Sequence, residues 1–232
     1  MNVHLLQHVP NEGPANIAAW ARERGHKTAC TRLYLGESLP LVGDFDLIAV
    51  LGGPMNAYAD EKHAWLAREK TFLAEAVDAK KCVLGVCLGA QLLSIILGGK
   101  VTRNNEREIG WHETSITDEG RRSRAFAGFP EKFRPMHWHA DTFTIPEGCT
   151  RTAASKACAN QAFEGLDGKV VGLQFHLEYS MQDVRTMATE SADDLVPGRY
   201  VGTPYGILTN AWRTSETKRL IFLLLDSMAE GL

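Results

Sequence analysis

The first hundred residues alternate between two hydrophobic patterns. Short apolar runs, typical of strands buried on both faces, occupy residues 46–51 and 82–84, and residues 3–8 and about 27–33 are also predicted to be strands. Between these runs, apolar positions recur every three to four residues, which predicts helices. The predicted helices are 15–24, one that contains the apolar positions from Trp65 to Val77 and has Asp60 as a candidate N-cap, and 88–97.

This alternation predicts an α/β fold with a mostly parallel central sheet flanked by helices. The pattern changes after residue 101, where strand-like runs at 114–117, 142–145 and 162–164 alternate with Gly, Pro and Asp turns. We expect these runs to add antiparallel strands to the sheet. The apolar run at 220–228 predicts a largely buried helix. No repeat or interdomain linker is visible, so the chain is predicted to form one domain over residues 1–232.

Composition narrows the class of protein. The 232 residues carry a formal net charge of −3, with 44% hydrophobic and 23% charged residues, which gives no reason to expect nucleic acid or a membrane as a partner. No apolar run reaches the roughly 18–20 residues needed to span a bilayer, and the first residues lack the features of a signal peptide. Five cysteines without a Cys-x-x-Cys pair fit reduced thiols and a cytoplasmic location.

A glycine-framed cysteine is the most informative feature of the chain. Cys87 lies between Gly85 and Gly89, where an apolar run leads into a predicted helix. This arrangement predicts a nucleophile elbow with sulfur in place of the usual serine, in which the glycines leave room for the substrate. The N–H groups at the start of the helix favour a thiolate and can stabilise an oxyanion. The pattern therefore predicts acyl chemistry through a thioester.

A basic partner for this cysteine is predicted near the end of the run 170–175. His176 and Glu178 follow that run two positions apart, so their side chains project to the same side of an extended chain. A carboxylate at that position can orient an imidazole and stabilise its charged form. Five of the other seven histidines have no partner visible in the sequence and are given no catalytic role: His4, His8, His26, His63 and His112.

A third segment, Gly52-Gly53-Pro54, follows the run 46–51. A Gly-Gly turn allows backbone N–H groups to approach a ligand closely, so Gly53 and Leu88 are candidate oxyanion donors. Three strand ends, at Gly52-Gly53, Cys87 and His176, would then meet at the carboxyl edge of the parallel sheet, where α/β sites are built.

Together these segments resemble the class I glutamine amidotransferases, which carry a G-x-C-x-G-x-Q elbow, an upstream Gly-Gly-Pro turn and a downstream His-Pro-Glu. The resemblance implies that Cys87 is the nucleophile, His176 the general base and Glu178 the residue that orients the base. It also implies that Gly53 and Leu88 hold the oxyanion and that Gln91 binds the substrate. Leu177 stands where the family usually has proline.

The segment 134–141 is similar to the family's substrate-binding stretch, and most similar to that of the glutaminase domain of GMP synthase. The resemblance implies that His137, Trp138 and His139 contact the substrate, largely through backbone groups. A His-x-His pair is also common at metal sites. No clustered cysteine or carboxylate accompanies this pair in the sequence, so we expect no metal and no cofactor.

The resemblance implies hydrolysis of glutamine through a γ-glutamyl thioester, with ammonia released or passed to a separate synthase chain. A second hypothesis is a hydrolase of γ-glutamyl peptides or amines that has no ammonia partner. A third, from another class, is a non-catalytic or redox-sensing protein on the same fold. Two segments are predicted to contact a partner: the turn Pro54-Met55-Asn56 and the Gly- and Pro-rich stretch 193–206, which is also the candidate mobile loop.

Overall fold

The structure, a computed structural model, describes residues 1–230. The strands in this range are β1 (Asn2–Gln7), β2 (Lys27–Arg32), β3 (Leu47–Val50), β4 (Cys82–Val86), β5 (Val101–Trp111), β6 (Thr114–Ile116), β7 (Lys132–Phe133), β8 (Met136–Phe143), β9 (Thr150–Ser155), β10 (Ala162–Gly165), β11 (Val170–Leu173) and β12 (Tyr200–Val201). The α-helices are α1 (Ala15–Glu23), α2 (Ala64–Asp78), α3 (Leu88–Ile96), α4 (Asp118–Arg122), α5 (Met181–Glu190), α6 (Pro204–Thr209) and α7 (Thr214–Ala229).

The main sheet has nine strands in the order β2-β1-β3-β4-β11-β10-β9-β6-β7. The first five pair in parallel, and the other four extend the sheet in antiparallel fashion. The predicted α/β fold with added antiparallel strands is therefore confirmed.

Strand β3 shows why its apolar run is continuous. All four of its residues are buried, because successive side chains point to opposite faces of the sheet and both faces are covered. Leu47 and Ala49 join a core with residues of α1 and α7. Ile48 and Val50 join a second core with residues of α2 and α3. The sheet therefore lies between two helical layers.

A second, three-stranded sheet has the order β12-β5-β8. It packs through Ile109 and Trp138 against α5 and α6, around Val184 and Ile207. The backbone N–H of His176 donates to the carbonyl oxygen of Met136 on β8 at 2.8 Å. This bond fixes the chain after β11 against the small sheet, at the carboxyl edge of the main sheet.

Two local predictions, the N-cap at Asp60 and the strand over 142–145, need correction. Helix α2 begins at Ala64 with His63 at its N-cap, and the Asp60 carboxylate is instead 2.7 Å from the Lys70 ammonium. The strand expected over 142–145 is the end of β8 and stops at Phe143.

The stretch 193–206 is not a continuous loop, because it contains β12 and the start of α6. Strand β12 pairs with β5 in parallel, so the middle of the stretch belongs to the small sheet. Among the described residues, no helix is both long enough and apolar enough to cross a bilayer.

Candidate active site

Cys87 lies at the junction of β4 and α3 in an uncommon backbone conformation. Its φ is 52° and its ψ is −104°, a region that residues with a Cβ rarely adopt. A strained residue between a buried strand and a helix is the geometry of a nucleophile elbow. The sequence pattern thus predicted the turn correctly.

The two framing glycines are required for a different reason from the one expected. A Cβ at Gly89 would lie 2.2 Å from the carbonyl oxygen of Val50 on β3. A Cβ at Gly85 would lie 2.6 Å from the carbonyl carbon of Gly89. Both clashes are with backbone, so the glycines allow α3 to pack closely on β3 and β4, and the packing of the elbow, more than substrate clearance, accounts for them.

His176 and Glu178 form a buried pair beside the elbow. The His176 Nδ1 is 2.7 Å from the Glu178 Oε1, and both side chains are almost fully buried. Burial acts to lower the pKa of His176, but the Glu178 carboxylate and the neighbouring Cys87 raise this pKa well above its ordinary value. The His176 Nε2 has no hydrogen-bond partner among the described residues, which leaves it available to the thiol. The Tyr179 ring stacks on the imidazole with ring centroids 4.2 Å apart.

Among the described residues, the Cys87 sulfur makes two hydrogen bonds. Its thiol donates to the Trp138 carbonyl oxygen at 3.8 Å, and the Gln174 side-chain amide donates to the sulfur at 3.6 Å. Gln174 in turn accepts a hydrogen bond from Gln91 at 3.2 Å. Sequence analysis missed Gln174, although a polar residue at the end of an apolar strand and two positions before His176 was a usable signal.

Gly53 and Leu88, the candidate oxyanion donors, lie side by side. A Cβ placed on Gly53 would be 3.2 Å from the Leu88 Cδ2. Within residues 1–230 neither backbone N–H has an acceptor. The carbonyl oxygen of Gly52, in the same peptide group as the Gly53 N–H, is within hydrogen-bond distance of the His8 imidazole. His8 therefore has a hydrogen-bond partner that the sequence did not reveal.

A cavity of about 230 Å³ opens over the elbow. Of the residues predicted to form the site, those that line it are Cys87, Gly53, Gln91, Trp138 and His139. His176, Glu178 and Leu88 are buried next to it and are not part of its wall. The His137 side chain is fully buried between Thr114 and Glu108 and does not reach the cavity.

Charged side chains that the sequence analysis did not select complete the wall. The Arg103 guanidinium is 3.2 Å from the Asp141 carboxylate, and Arg107 donates to the Asp194 carbonyl oxygen at 2.7 Å. Both arginines belong to β5. The sequence offered little indication that these arginines line a site, because two arginines in a polar segment are usually surface residues.

Glu12 also lines the cavity although it lies far away in sequence. Its carboxylate accepts a hydrogen bond from the Tyr179 hydroxyl at 3.2 Å. Burial raises the pKa of Glu12, and the nearby His176 opposes that rise. A second carboxylate therefore stands close to the His176 imidazole.

The comparison with known families agrees with this geometry. The family model "Glutamine amidotransferase class-I" matches residues 14–191. The chain belongs to the class I glutamine amidotransferase family. The predicted resemblance is therefore confirmed, and the family assignment supports glutamine-dependent amidotransferase chemistry in general terms.

Individual relatives extend the comparison over the whole chain. A crystal structure of a glutamine amidotransferase from Thermotoga maritima is 32% identical, with a TM-score of 0.89, and covers 99% of this chain and 98% of its own. The glutamine amidotransferase-like protein YfeJ of Salmonella typhimurium is 29% identical over 98% of this chain and 97% of its own length. GMP synthase of Lactobacillus acidophilus is 43% identical over 41% of this chain, a stretch that makes up only 18% of that enzyme.

Proposed function

We propose that the protein hydrolyses the side-chain amide of glutamine through a γ-glutamyl thioester on Cys87. The observation that carries this proposal is the strained cysteine at the wall of a cavity, next to a buried imidazole whose other nitrogen is 2.7 Å from a carboxylate. This is the arrangement of an activated nucleophile, a base and an orienting acid.

In the proposed reaction His176 takes the proton of the Cys87 thiol. The sulfur attacks the amide carbon, the C–S bond forms, and the oxyanion accepts hydrogen bonds from the N–H groups of Gly53 and Leu88. The imidazolium then protonates the departing nitrogen, and ammonia leaves as the C–N bond breaks. Water that is deprotonated by His176 hydrolyses the thioester to glutamate and restores the thiol.

The charged wall of the cavity suits the amino-acid end of glutamine. Arg103 and Arg107 can bind the α-carboxylate, since guanidinium groups match carboxylates in geometry and charge. Asp141 and Asp194 can accept from the α-ammonium group. His137, Trp138 and His139 remain predicted contacts to the α-amino and α-carboxyl groups, largely through backbone groups, and Gln91 remains a predicted hydrogen-bond partner of the substrate.

The first experiment is mass spectrometry of the protein after incubation with 6-diazo-5-oxo-norleucine, an electrophile that mimics glutamine. Release of glutamate and ammonia is followed in parallel, with Cys87→Ala as the control. Labelling at Cys87 together with turnover is the expected result. Labelling without turnover would favour a site that needs its partner, and absence of labelling would favour the non-catalytic or redox-sensing hypothesis.

The fate of the ammonia is a separate part of the proposal. We infer that a synthase on another chain accepts it, because both segments expected to contact a partner contribute to the cavity wall: Pro54 and Met55 from one segment and Asp194 from the other. Co-purification that is lost when Pro54-Met55-Asn56 is replaced by Ala-Ala-Ala would support a docking role for this rim.

Glu12 favours a second candidate, the hydrolysis of γ-glutamyl amines. Its buried carboxylate lies near His176, the residue that would protonate the leaving nitrogen. A carboxylate there could pair with a cationic leaving amine. A panel of glutamine and γ-glutamyl amines distinguishes the two candidates, because Glu12→Gln would raise KM for cationic amines and leave KM for glutamine nearly unchanged.

A further inference from the structure

A buried cluster of one carboxylate and two imidazoles lies outside the catalytic pair. Glu108 comes from β5, and His137 and His139 come from the adjacent β8. The Glu108 Oε2 is 3.3 Å from the His139 Nε2 and 3.6 Å from the His137 Nδ1. All three side chains are at most 1% exposed. The structure thus supplies the carboxylate that the His-x-His motif lacked in the sequence.

The geometry of this cluster differs from that of the other two buried histidine–glutamate pairs within residues 1–230. In those pairs the nitrogen–oxygen distance is 2.7 Å for His176 and Glu178 and 2.9 Å for His8 and Glu69, and both contacts meet hydrogen-bond geometry. In the cluster neither imidazole does so, and within residues 1–230 the two ring nitrogens that face the Glu108 Oε2, His137 Nδ1 and His139 Nε2, have no hydrogen-bond partner. Unpartnered buried ring nitrogens are costly, so a group that is not protein is expected between these two nitrogens and the Glu108 Oε2.

We propose that Glu108, His137 and His139 bind a divalent metal ion, with zinc as the best match. Ligands about 2.0–2.1 Å from a tetrahedral zinc ion are separated by roughly 3.3 Å. The two separations from the Glu108 oxygen are 3.3 Å and 3.6 Å, and one ligand atom from each residue lies within 4.8 Å of the others. Imidazole nitrogen and carboxylate oxygen are both ordinary zinc ligands.

Hydrogen bonds on the outer side of the cluster hold each ligand in a metal-binding orientation. The His139 Nδ1 donates to the Asp141 carbonyl oxygen at 3.0 Å, so in the neutral ring the Nε2 carries a lone pair directed at the cluster. The His137 Nε2 is 3.1 Å from the Thr114 hydroxyl. The Glu108 Oε2 accepts from the Ser155 hydroxyl at 3.0 Å and from the Gln161 side-chain amide at 2.5 Å. Such outer contacts fix the tautomer and rotation of metal ligands.

The position of the cluster indicates what the ion would do. Its three ligands lie in the small sheet, whereas Thr114 and Ser155 belong to β6 and β9 of the main sheet. An ion there would fix three residues of the small sheet whose outer hydrogen bonds reach the main sheet, and one of the three, His139, lines the cavity. The site is therefore inferred to be structural, and it does not depend on the proposed glutaminase activity.

The test is direct metal binding to the full chain. The Cys87→Ala variant, which removes one competing thiol, is stripped with a chelator and titrated with Zn²⁺ by calorimetry. One equivalent of zinc is expected to bind. Removal of an outer hydrogen-bond partner lowers metal affinity ~10–100-fold, and Glu108→Gln and His137→Gln are expected to lower it further because they alter the ligands themselves. His112→Gln, which alters a neighbouring histidine outside the cluster, is the matched control.

X-ray absorption on the zinc-loaded protein decides the case even if the ligand variants fail to fold. Two imidazoles and an oxygen at about 2.0–2.1 Å support the proposal, and sulfur at about 2.3 Å overturns it because the ion would then be held by cysteine. The proposal is also overturned if the folded chain binds no stoichiometric zinc, or if Glu108→Gln and His137→Gln bind zinc as tightly as the control.

Discussion

The imidazole Nδ1 of His8 lies 2.9 Å from the carbonyl oxygen of Gly52. The other ring nitrogen is 2.9 Å from the Glu69 carboxylate, and both side chains are fully buried. Both nitrogens face acceptors, so the doubly protonated ring satisfies both bonds. Burial lowers the pKa of His8, but Glu69 raises it further, and the net pKa is above the ordinary value.

This contact bears on the proposed oxyanion donor. The C=O and N–H of a trans peptide point in opposite directions, so holding the Gly52 carbonyl on His8 turns the Gly53 N–H away from His8. Gly53 lines the cavity. We therefore expect the buried pair to keep the Gly53 N–H available to substrate.

The first prediction concerns Glu69→Gln. The amide keeps the shape but removes the charge, so the pKa of His8 should fall and the bond to Gly52 should weaken at neutral pH. We expect a lower kcat with little change in KM, and a basic limb of the kcat profile that moves to lower pH. Glu75→Gln, on the exposed face of the same helix, is the control.

Stability gives an independent measure of the same pair. Because the folded-state pKa of His8 is raised, its contribution is complete below the unfolded pKa of about 6.5 and is lost as pH rises through the folded value. Glu69→Gln should therefore cost about 1.5–3 kcal/mol of unfolding free energy at acidic pH, and less in alkaline solution. A loss that grows with pH would contradict this account.

The second prediction concerns Glu178→Gln. The carboxylate that raises the pKa of His176 is removed, so the imidazole should lose its proton at a lower pH than in the wild type. Imidazole NMR shifts followed against pH measure this directly. We also expect kcat/KM for glutamine to fall roughly 10⁴-fold, less than the roughly 10⁶-fold loss for Cys87→Ala. Equal losses for the two variants would mean that Glu178 does more than orient the base.

Much of the main sheet could be predicted because its strands are simple in sequence. β3 is buried on both faces, so its sequence is a continuous apolar run. The elbow at Cys87 is marked by two glycines, which are needed because the backbones pack closely there. The pairing of His176 with Glu178 was predictable because the two residues are two positions apart. Such local patterns need no knowledge of the rest of the fold.

The small sheet could not be predicted in the same way. β5 is eleven residues long, but its polar, partly exposed residues and the register shift between Arg103 and Glu108 remove any regular alternation. The contacts of Glu108 with His137 and His139, and of His8 with Glu69 and Gly52, join residues that are far apart in sequence. Their meaning depends on tertiary packing, which no local spacing records.

The third prediction tests the packing of the elbow. Gly89→Ala places a methyl group against the Val50 carbonyl, with which it would overlap at 2.2 Å. Since the obstacle is backbone in the middle of the sheet, we expect a loss of about 1–3 kcal/mol in unfolding free energy by urea titration. Gly43→Ala is the control, because its Cβ would meet nothing within 4 Å. Equal stabilities for the two variants would show that α3 can shift without cost.

The last prediction tests the proposed role of the cavity arginines. Arg107 donates to the Asp194 carbonyl oxygen from β5, which fixes its guanidinium at the cavity wall. If it binds the α-carboxylate of glutamine, Arg107→Lys should raise KM with a smaller change in kcat, because a lysine ammonium cannot form two parallel bonds to a carboxylate. The same variant should leave hydrolysis of a γ-glutamyl substrate with an esterified α-carboxylate nearly unchanged, since that substrate has no negative charge to lose. An equal rise in KM for both substrates would assign Arg107 a structural role through Asp194 instead.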